Sequence, residues 1–387
     1  MNYKKVWTKK RRARRLCKNN NQRYKKIHQR LVNLNLLNEL SPFNTHKYNS
    51  KEYFMAFEYA SLHEISIKQT CLMRRLQGKK WPSPEQLMKC CREVSPEIMT
   101  NFINSALHEQ FNALPKHIRQ QLEKSGTLII DFHQDCYYGD KDNPHIRKSK
   151  TKKSTNLFYE YLTTDLYCKY GCFTIAILHR TPNKKIFSLT KWVIEQVEKI
   201  ISLKVVLLDG EFATIDVLDF LQRKDVKFLA RKSRTERVKK HLNTFYGTSD
   251  WKKKCQWRPI ELSSKRSRCK KVHVDICPQD VHGEMKALVK SPGWIITPKY
   301  AVKLYRKRFN IETGYRDKHK FQIFTCTKIL STRLLIFLMA ILLWNCWQSF
   351  LIWMRSLKCY SRDLPRDFLV QISANWLKFS LMKLHYS

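Results

Sequence analysis

Thr127-Leu-Ile-Ile-Asp131-Phe132 is a short, continuously apolar run that ends in an acid. Such a run predicts a strand buried on both faces of an α/β sheet. Ser125-Gly126, just before it, marks a change in the chain's character. Beyond it, Leu157 to Cys168 and Cys172 to His179 read as two further strands joined by a tight turn at Lys169-Tyr170-Gly171. Ile186 to Leu203 reads as an amphipathic helix. Lys204-Val-Val-Leu-Leu-Asp209-Gly210 repeats the opening pattern, an apolar strand ending in Asp. Ala213 to Lys224 is then a helix and Val226 to Arg231 a strand. The order is β-β-β-α-β-α-β, with Asp131 and Asp209 at the carboxyl ends of apolar strands, where α/β sheets place their sites.

Around this core the chain is strongly basic. It has 387 residues and 74 Lys and Arg against 32 Asp and Glu, a formal net charge of +42. That excess points to a polyanionic partner, nucleic acid above all. Apolar residues make up 43% and aromatic residues 12%, which excludes a disordered basic tail protein. The 13 cysteines are scattered, and the N-terminus is dense in Lys and Arg rather than secretory, so a reducing, cytoplasmic setting is expected. Cys255, Cys269, His273 and Cys277 match no zinc spacing well.

The flanks read as follows. Residues 1–49 are a basic arm, with thirteen Lys or Arg between positions 4 and 30 and no acid before Glu39. Such an arm neutralises phosphates without reading sequence. Residues 50–124 read as a small helical, DNA-binding domain in which Ser83 caps a helix with Pro84 in its first turn. Residues 125–231 form the first part of the core. Residues 232–293 look like a basic, mostly β insertion: positions 231 to 292 hold 17 Lys or Arg against 6 acids, together with Trp251 and Trp257. Residues 294–355 return to the core, and residues 356–387 form a helical tail. Within the returning part, Leu334 to Met354 is long and apolar enough to span a bilayer. Asn345, Gln348 and Ser349 inside it favour instead a helix buried in protein.

Tyr305-Arg-Lys-Arg-Phe-Asn-Ile-Glu-Thr-Gly-Tyr-Arg-Asp-Lys-His319 holds no Pro and predicts one helix. On it Tyr305, Arg308, Arg316 and His319 all fall within about 40° of Glu312, while Phe309 and Tyr315 lie on the opposite flank for packing. Alone, this face also describes a surface salt-bridge ladder. Set beside Asp131 and Asp209, it gives two strand-end aspartates and a helix glutamate in a basic protein. Hard Mg²⁺ or Mn²⁺ seeks such oxygens, and two ions can activate the attacking oxygen and stabilise the leaving one in phosphoryl transfer. Tyr305, Arg308 and His319 would then hold the DNA phosphate in line. Asp135 is an alternative to Asp131; the end of the apolar run favours Asp131.

Leu-Leu-Asp209-Gly-Glu-Phe212 and Tyr305-x2-Arg308-x3-Glu312 carry a resemblance to insertion-sequence transposases of the Asp-Asp-Glu, RNase H-like superfamily. The second stretch resembles that family's Tyr-Arg-Glu-Lys signature, with His319 where the family has Lys, and Lys318 and Lys320 on either side. The resemblance covers residues 125 to 355. It implies an RNase H-like mixed sheet flanked by helices, interrupted by the basic β insertion and preceded by the helical domain. It further implies catalytic and metal-binding roles for Asp131, Asp209 and Glu312 with two Mg²⁺ or Mn²⁺ ions, and phosphate contacts from Tyr305, Arg308, Arg316, His319 and Lys320. Trp251 or Trp257 would take up a flipped base. The expected reaction is metal-dependent cleavage of DNA at terminal inverted repeats, followed by strand transfer into target DNA. A homodimer on paired ends, a nucleoid-associated location and no membrane partner go with it. An RNase H-like nuclease without strand transfer, and a catalytically inactive DNA-binding descendant, are the alternatives.

Overall fold

A computed structural model describes residues 36–45, 47–78, 80–232, 235–246, 256–263, 270–281, 284–309, 314–315 and 318–356. The basic arm to residue 35, the tail from residue 357, Glu312, Arg316, Trp251, Cys255 and Cys269 lie outside the described residues. The chain divides into two compact units, one formed by Met1–Arg119 with Asp317–Ser387 and the other by Gln120–Arg316.

The first unit is helical. Helices α1 (Ser50–His63), α2 (Ile67–Leu76), α3 (Pro84–Glu93) and α4 (Pro96–Asn112) each begin at a side-chain cap. Asn49 and Ser66 form capping boxes with Glu52 and Gln69, and Ser83 accepts from the Gln86 amide at 3.1 Å, as its sequence predicts. Helix α5 (Lys116–Ser125) then leads into the second unit.

The core of the helical unit is supplied from far along the chain. The apolar segment after residue 330 is helix α10 (Leu330–Ser356), and 94% of its most apolar window is buried, against α1, α3 and α4. Its polar residues explain why. Gln110 of α4 donates to the Leu342 carbonyl and accepts from Asn345, both at 2.8 Å, and Ser331 donates to the Cys91 carbonyl at 2.8 Å. Asn345 thus finds its partner inside the protein. Residues 317–355 therefore group with the N-terminal helices, where the sequence reading placed them with the catalytic core.

The second unit is built on one nine-stranded mixed sheet. Its strands are β1 (Thr127–Cys136), β2 (Arg147–Lys152), β3 (Thr155–Cys168), β4 (Gly171–His179), β5 (Val205–Leu208), β6 (Lys227–Lys232), β7 (Arg258–Ser263), β8 (Lys271–Val281) and β9 (Glu284–Lys290). Their order is β2-β3-β1-β5-β6-β9-β8-β7, with β4 pairing β3 beside β2. Strands β1, β5 and β6 are parallel, linked by α6 (Ile186–Glu198) and α7 (Ile215–Arg223) as crossovers. This is the expected mixed α/β sheet flanked by helices.

Three features differ from the sequence expectation. Strand β1 runs four residues past Phe132, because antiparallel β3 pairs with it through Cys136. The basic insertion is not set apart as its own sheet: β9 pairs antiparallel with β6 (Leu229↔Lys290) and so continues the core, and helix α8 (Glu236–Tyr246) precedes its strands. Val272, Val274 and Ile276 point inward as their alternation predicts. Finally, α9 (Pro298–Tyr305) ends at Tyr305 and tightens into a 3₁₀ turn over Arg306–Arg308, so no single α-helix runs from 305 through 308.

Candidate active site

The register of the parallel strands places the two aspartates. The Gly126 carbonyl accepts from the amides of Lys204 and Val205 at 2.9 and 3.1 Å, which starts the β1–β5 pairing. Gly126 has φ +53°, and a Cβ there would lie 2.7 Å from Lys204 Cγ, so only glycine fits this approach. Pairing then runs from Thr127↔Val205 to Ile130↔Leu208. Ile129, Ile130, Leu207 and Leu208 are fully buried. The next residues are Asp131, where β1 continues along β3, and Asp209, just past the end of β5, so the two follow the last β1–β5 pair side by side.

Arg308 joins them. Its Nη1 lies 3.2 Å from Asp131 Oδ2 and its Nη2 lies 3.6 Å from Asp209 Oδ1. The guanidinium is buried (side chain 5% exposed), whereas Asp209 is 37% exposed and faces the open side. The 3₁₀ turn makes this geometry, because residues three apart eclipse one another at three residues per turn. Arg308 therefore stacks in line with Tyr305, its guanidinium carbon 5.8 Å from the ring centroid, and Arg231 at the end of β6 approaches the same ring at 5.6 Å. Tyr305 is wholly buried, and burial pushes its hydroxyl pKa up to about 12. It is a neutral platform under two guanidiniums, with no face open to solvent.

A second group fixes the loop that carries Asp209. After β5 the chain turns at Asp209-Gly-Glu-Phe212, the Phe212 amide donating to the Asp209 carbonyl at 3.0 Å. Phe212 stacks on Phe132 with ring centroids 4.7 Å apart, which ties the residues beside the two aspartates together. Arg180, directly after β4, lies over Phe132 at 4.3 Å and bridges Glu160 on β3 (3.0 Å) to Glu211 in the loop (2.7 Å). Arg147 adds a 2.6 Å ion pair to Glu160. Lys232 donates to the Ala213 carbonyl, and burial lowers its pKa.

On the Asp131 side, Tyr315 shares a hydrogen bond with Thr163 of β3, the register partner of Asp131, and packs against His133 at 4.8 Å. Burial, then the Asp131 charge, raises the Tyr315 pKa well above the tyrosine range. Tyr315 packs as its flank predicts, while Phe309 stays 38% exposed with Arg308 over its ring at 5.0 Å.

The other sequence-nominated residues are distributed as follows. Asp135 lies farther along β1, opposite Tyr159 and four residues from Asp131. His319 is exposed in a 3₁₀ turn with Lys320 half-buried beside it, and both belong to the helical unit, where His319 shares a hydrogen bond with Gln322. Lys318 is buried over Trp344 at 4.3 Å. Trp257 is half-buried and donates its indole N–H to the Ile296 carbonyl at 2.7 Å. Among the described residues no group of three or more His, Cys, Asp and Glu is arranged for a metal; of the expected triad, Asp131 and Asp209 are described.

Arg180, Glu160, Phe132 and Arg231 did not stand out in the sequence. Glu160 offered a signal, an acid among the aromatic and apolar residues Leu157 to Leu162. A buried acid requires a cation partner, and Arg180 and Arg147 supply it.

No protein-family model matches the chain, and no curated protein matches it. Among solved structures the chain is similar to the piggyBac transposase in a cryo-EM synaptic complex with hairpin DNA. The TM-score is 0.50 at 12% identity, over 94% of this chain and 81% of that one. The likeness is one of fold: the chain has a transposase fold, with the nine-stranded mixed sheet flanked by helices.

Proposed function

We propose that this chain is a DNA transposase of the Asp-Asp-Glu, RNase H-like class. It binds the terminal inverted repeats of its element, cuts there and transfers the freed 3′ end into target DNA. One observation carries the reading: Asp131 and Asp209 each follow the last pair of the parallel β1–β5 register and share the cation of Arg308. Three parallel strands flanked by the antiparallel β3–β4 pair fit an RNase H-like core.

The donor set fits a divalent ion. Two hard carboxylate oxygens already converge on one positive group, as Mg²⁺ or Mn²⁺ requires. Asp131, Asp209 and Glu312 would hold two such ions, which when bound activate the attacking oxygen and stabilise the leaving one. The chain's own residues orient the reaction. Arg308 keeps the carboxylates from repelling one another. Phe132 on Phe212, clamped by Arg180, fixes the spacing of the two acids. A formal charge of +42 supports DNA as the partner, with element ends paired by at least two copies.

The test is incubation of the purified chain, Mg²⁺ and DNA carrying the element's own end beside a second, unrelated duplex. Cuts at the repeat boundary with joined products in the second duplex support the proposal. Cuts without joining point to a nuclease, and binding without cutting to an inactive descendant.

A further inference from the structure

Beyond Asp131, strands β1 and β3 overrun the parallel part of the sheet. Leu208 is the last β5 residue paired to β1, yet β1 continues to Cys136, paired to Phe158. On the far side of β3, Phe158 pairs with Arg147, the first residue of β2. Strand β2 reads Arg-Lys-Ser-Lys-Thr-Lys, is exposed from Lys148 onward, and turns back through Lys153 and Ser154. From position 143 to position 159 the chain contains five Lys or Arg and no acid.

This hairpin is held in shape. Lys153 and Ser154 both take positive φ (47° and 63°), the conformation of a tight two-residue turn. The Tyr138 hydroxyl donates to the Lys153 carbonyl at 2.8 Å, and Thr155 donates to the Tyr137 carbonyl at 2.8 Å. Gln134 of β1 donates to Ser149 at 3.2 Å and accepts from Lys152 at 2.8 Å. Arg147 and Lys152 are thus spent on the fold. Lys148, Lys150 and Lys153 project outward, beside a Tyr138 side chain that is itself exposed (60%). A sheet edge tolerates lysines as protection from pairing, but that need does not call for a pinned turn with an open aromatic beside it.

We propose that the Arg147–Thr155 hairpin is a DNA-backbone contact, seating Lys148 and Lys150 on phosphates to one side of the cleaved bond; this rests on the transposase reading above. The spacing sets where. Lys148 pairs with Leu157, six residues along β3 from Thr163, the partner of Asp131, and Lys150 lies about one residue farther, so the two lysines stand about 20–23 Å along the strands and about 10 Å sideways. At 3.4 Å per base pair the contacted phosphates lie roughly six to eight pairs from the bond cut at Asp131. Exposed aromatic and basic side chains together suit a nucleic-acid backbone better than a protein partner.

The test compares wild type with Lys148→Gln/Lys150→Gln on a duplex carrying the element's end, measuring affinity against salt concentration. Each phosphate contact contributes about 0.9 to the slope of log K against log salt. The double variant is expected to show a slope shallower by about two and roughly 10- to 30-fold weaker binding at 0.15 M salt, with an unchanged melting temperature. Neutral methylphosphonates roughly six to eight pairs from the cut should weaken wild type and leave the variant unaffected. Wild-type binding with an unchanged slope in the variant, or equal sensitivity of both to the methylphosphonates, overturns the hairpin contact alone. Absence of salt-dependent DNA binding by wild type overturns the transposase reading and this inference with it.

Discussion

Arg308 and Asp131 stand 177 residues apart in the chain and meet at 3.2 Å, with the same guanidinium reaching Asp209 at 3.6 Å. An arginine set between two carboxylates does for the folded protein what a divalent cation is proposed to do in the reaction. It supplies the positive charge without which two aspartates would not sit side by side. On that proposal, removing the arginine and adding a divalent cation would act on the same pair.

Arg308→Ala is therefore expected to lower stability by about 1–3 kcal/mol, less than a fully buried pair because Asp209 is partly solvated. Millimolar Mg²⁺ should raise the melting temperature of this variant more than that of wild type. An equal rise in both would separate Arg308 from the cation site.

Arg180 joins β3, the Asp209 loop and the Phe132 ring. Arg180→Ala leaves buried Glu160 with the Arg147 ion pair and the Gln134 amide, and is expected to cost about 2–4 kcal/mol in urea unfolding. Arg180→Lys should recover only part of this, because an ammonium cannot stack flat over the Phe132 ring as the guanidinium does. Full recovery by Lys would show that charge alone suffices.

His179 gives the fold a pH dependence. It donates Nε2–H to the His145 carbonyl at 2.8 Å, and burial lowers its pKa to about 4. The unfolded chain, with a His pKa near 6.5, binds more protons than the folded chain between those values. Its contribution is therefore fully present above about pH 6.5, is lost as pH falls towards 4, and amounts to about 3 kcal/mol. His179→Gln should flatten stability between pH 6.5 and 4; an unchanged slope would assign the dependence to other groups.

The apolar helix α10 allows a plain solubility test. Gln110 and Asn345 satisfy each other inside the helical unit, so the protein is expected to stay in the supernatant without detergent. Asn345→Leu, although more apolar, should destabilise by about 1–3 kcal/mol by stranding Gln110. A chain that partitions into detergent, or gains stability on this substitution, would return α10 to the bilayer.

The parts legible in the sequence are those where one physical demand dominates. Ile129, Ile130, Leu207 and Leu208 are buried on both faces, so their segments read as unbroken apolar runs, and the acids that follow these runs are the ones proposed for the site. Strand β2 was invisible because Arg147 to Lys152 is polar on both faces and has no hydrophobic period. The end of α9 at Tyr305 carried no Pro or Gly; it is set by packing Tyr305 and Arg308 in line, a tertiary demand. The Arg308 bridge and the Arg180 clamp rest on contacts between distant segments, which local pattern does not encode. Hydropathy alone likewise does not distinguish burial of α10 in protein from burial in lipid; Gln110 does.

The most direct test of the central claim is cleavage of a labelled duplex bearing the element's own end, with Mg²⁺ or Mn²⁺ and without. Wild type, Asp131→Asn, Asp209→Asn and Glu312→Gln would be compared at matched DNA occupancy. The account predicts metal-dependent cutting at the repeat boundary by wild type, and a loss of at least about a thousandfold in each variant, with binding retained. Wild-type cutting that persists in Asp209→Asn, or that proceeds equally in chelator, would contradict it.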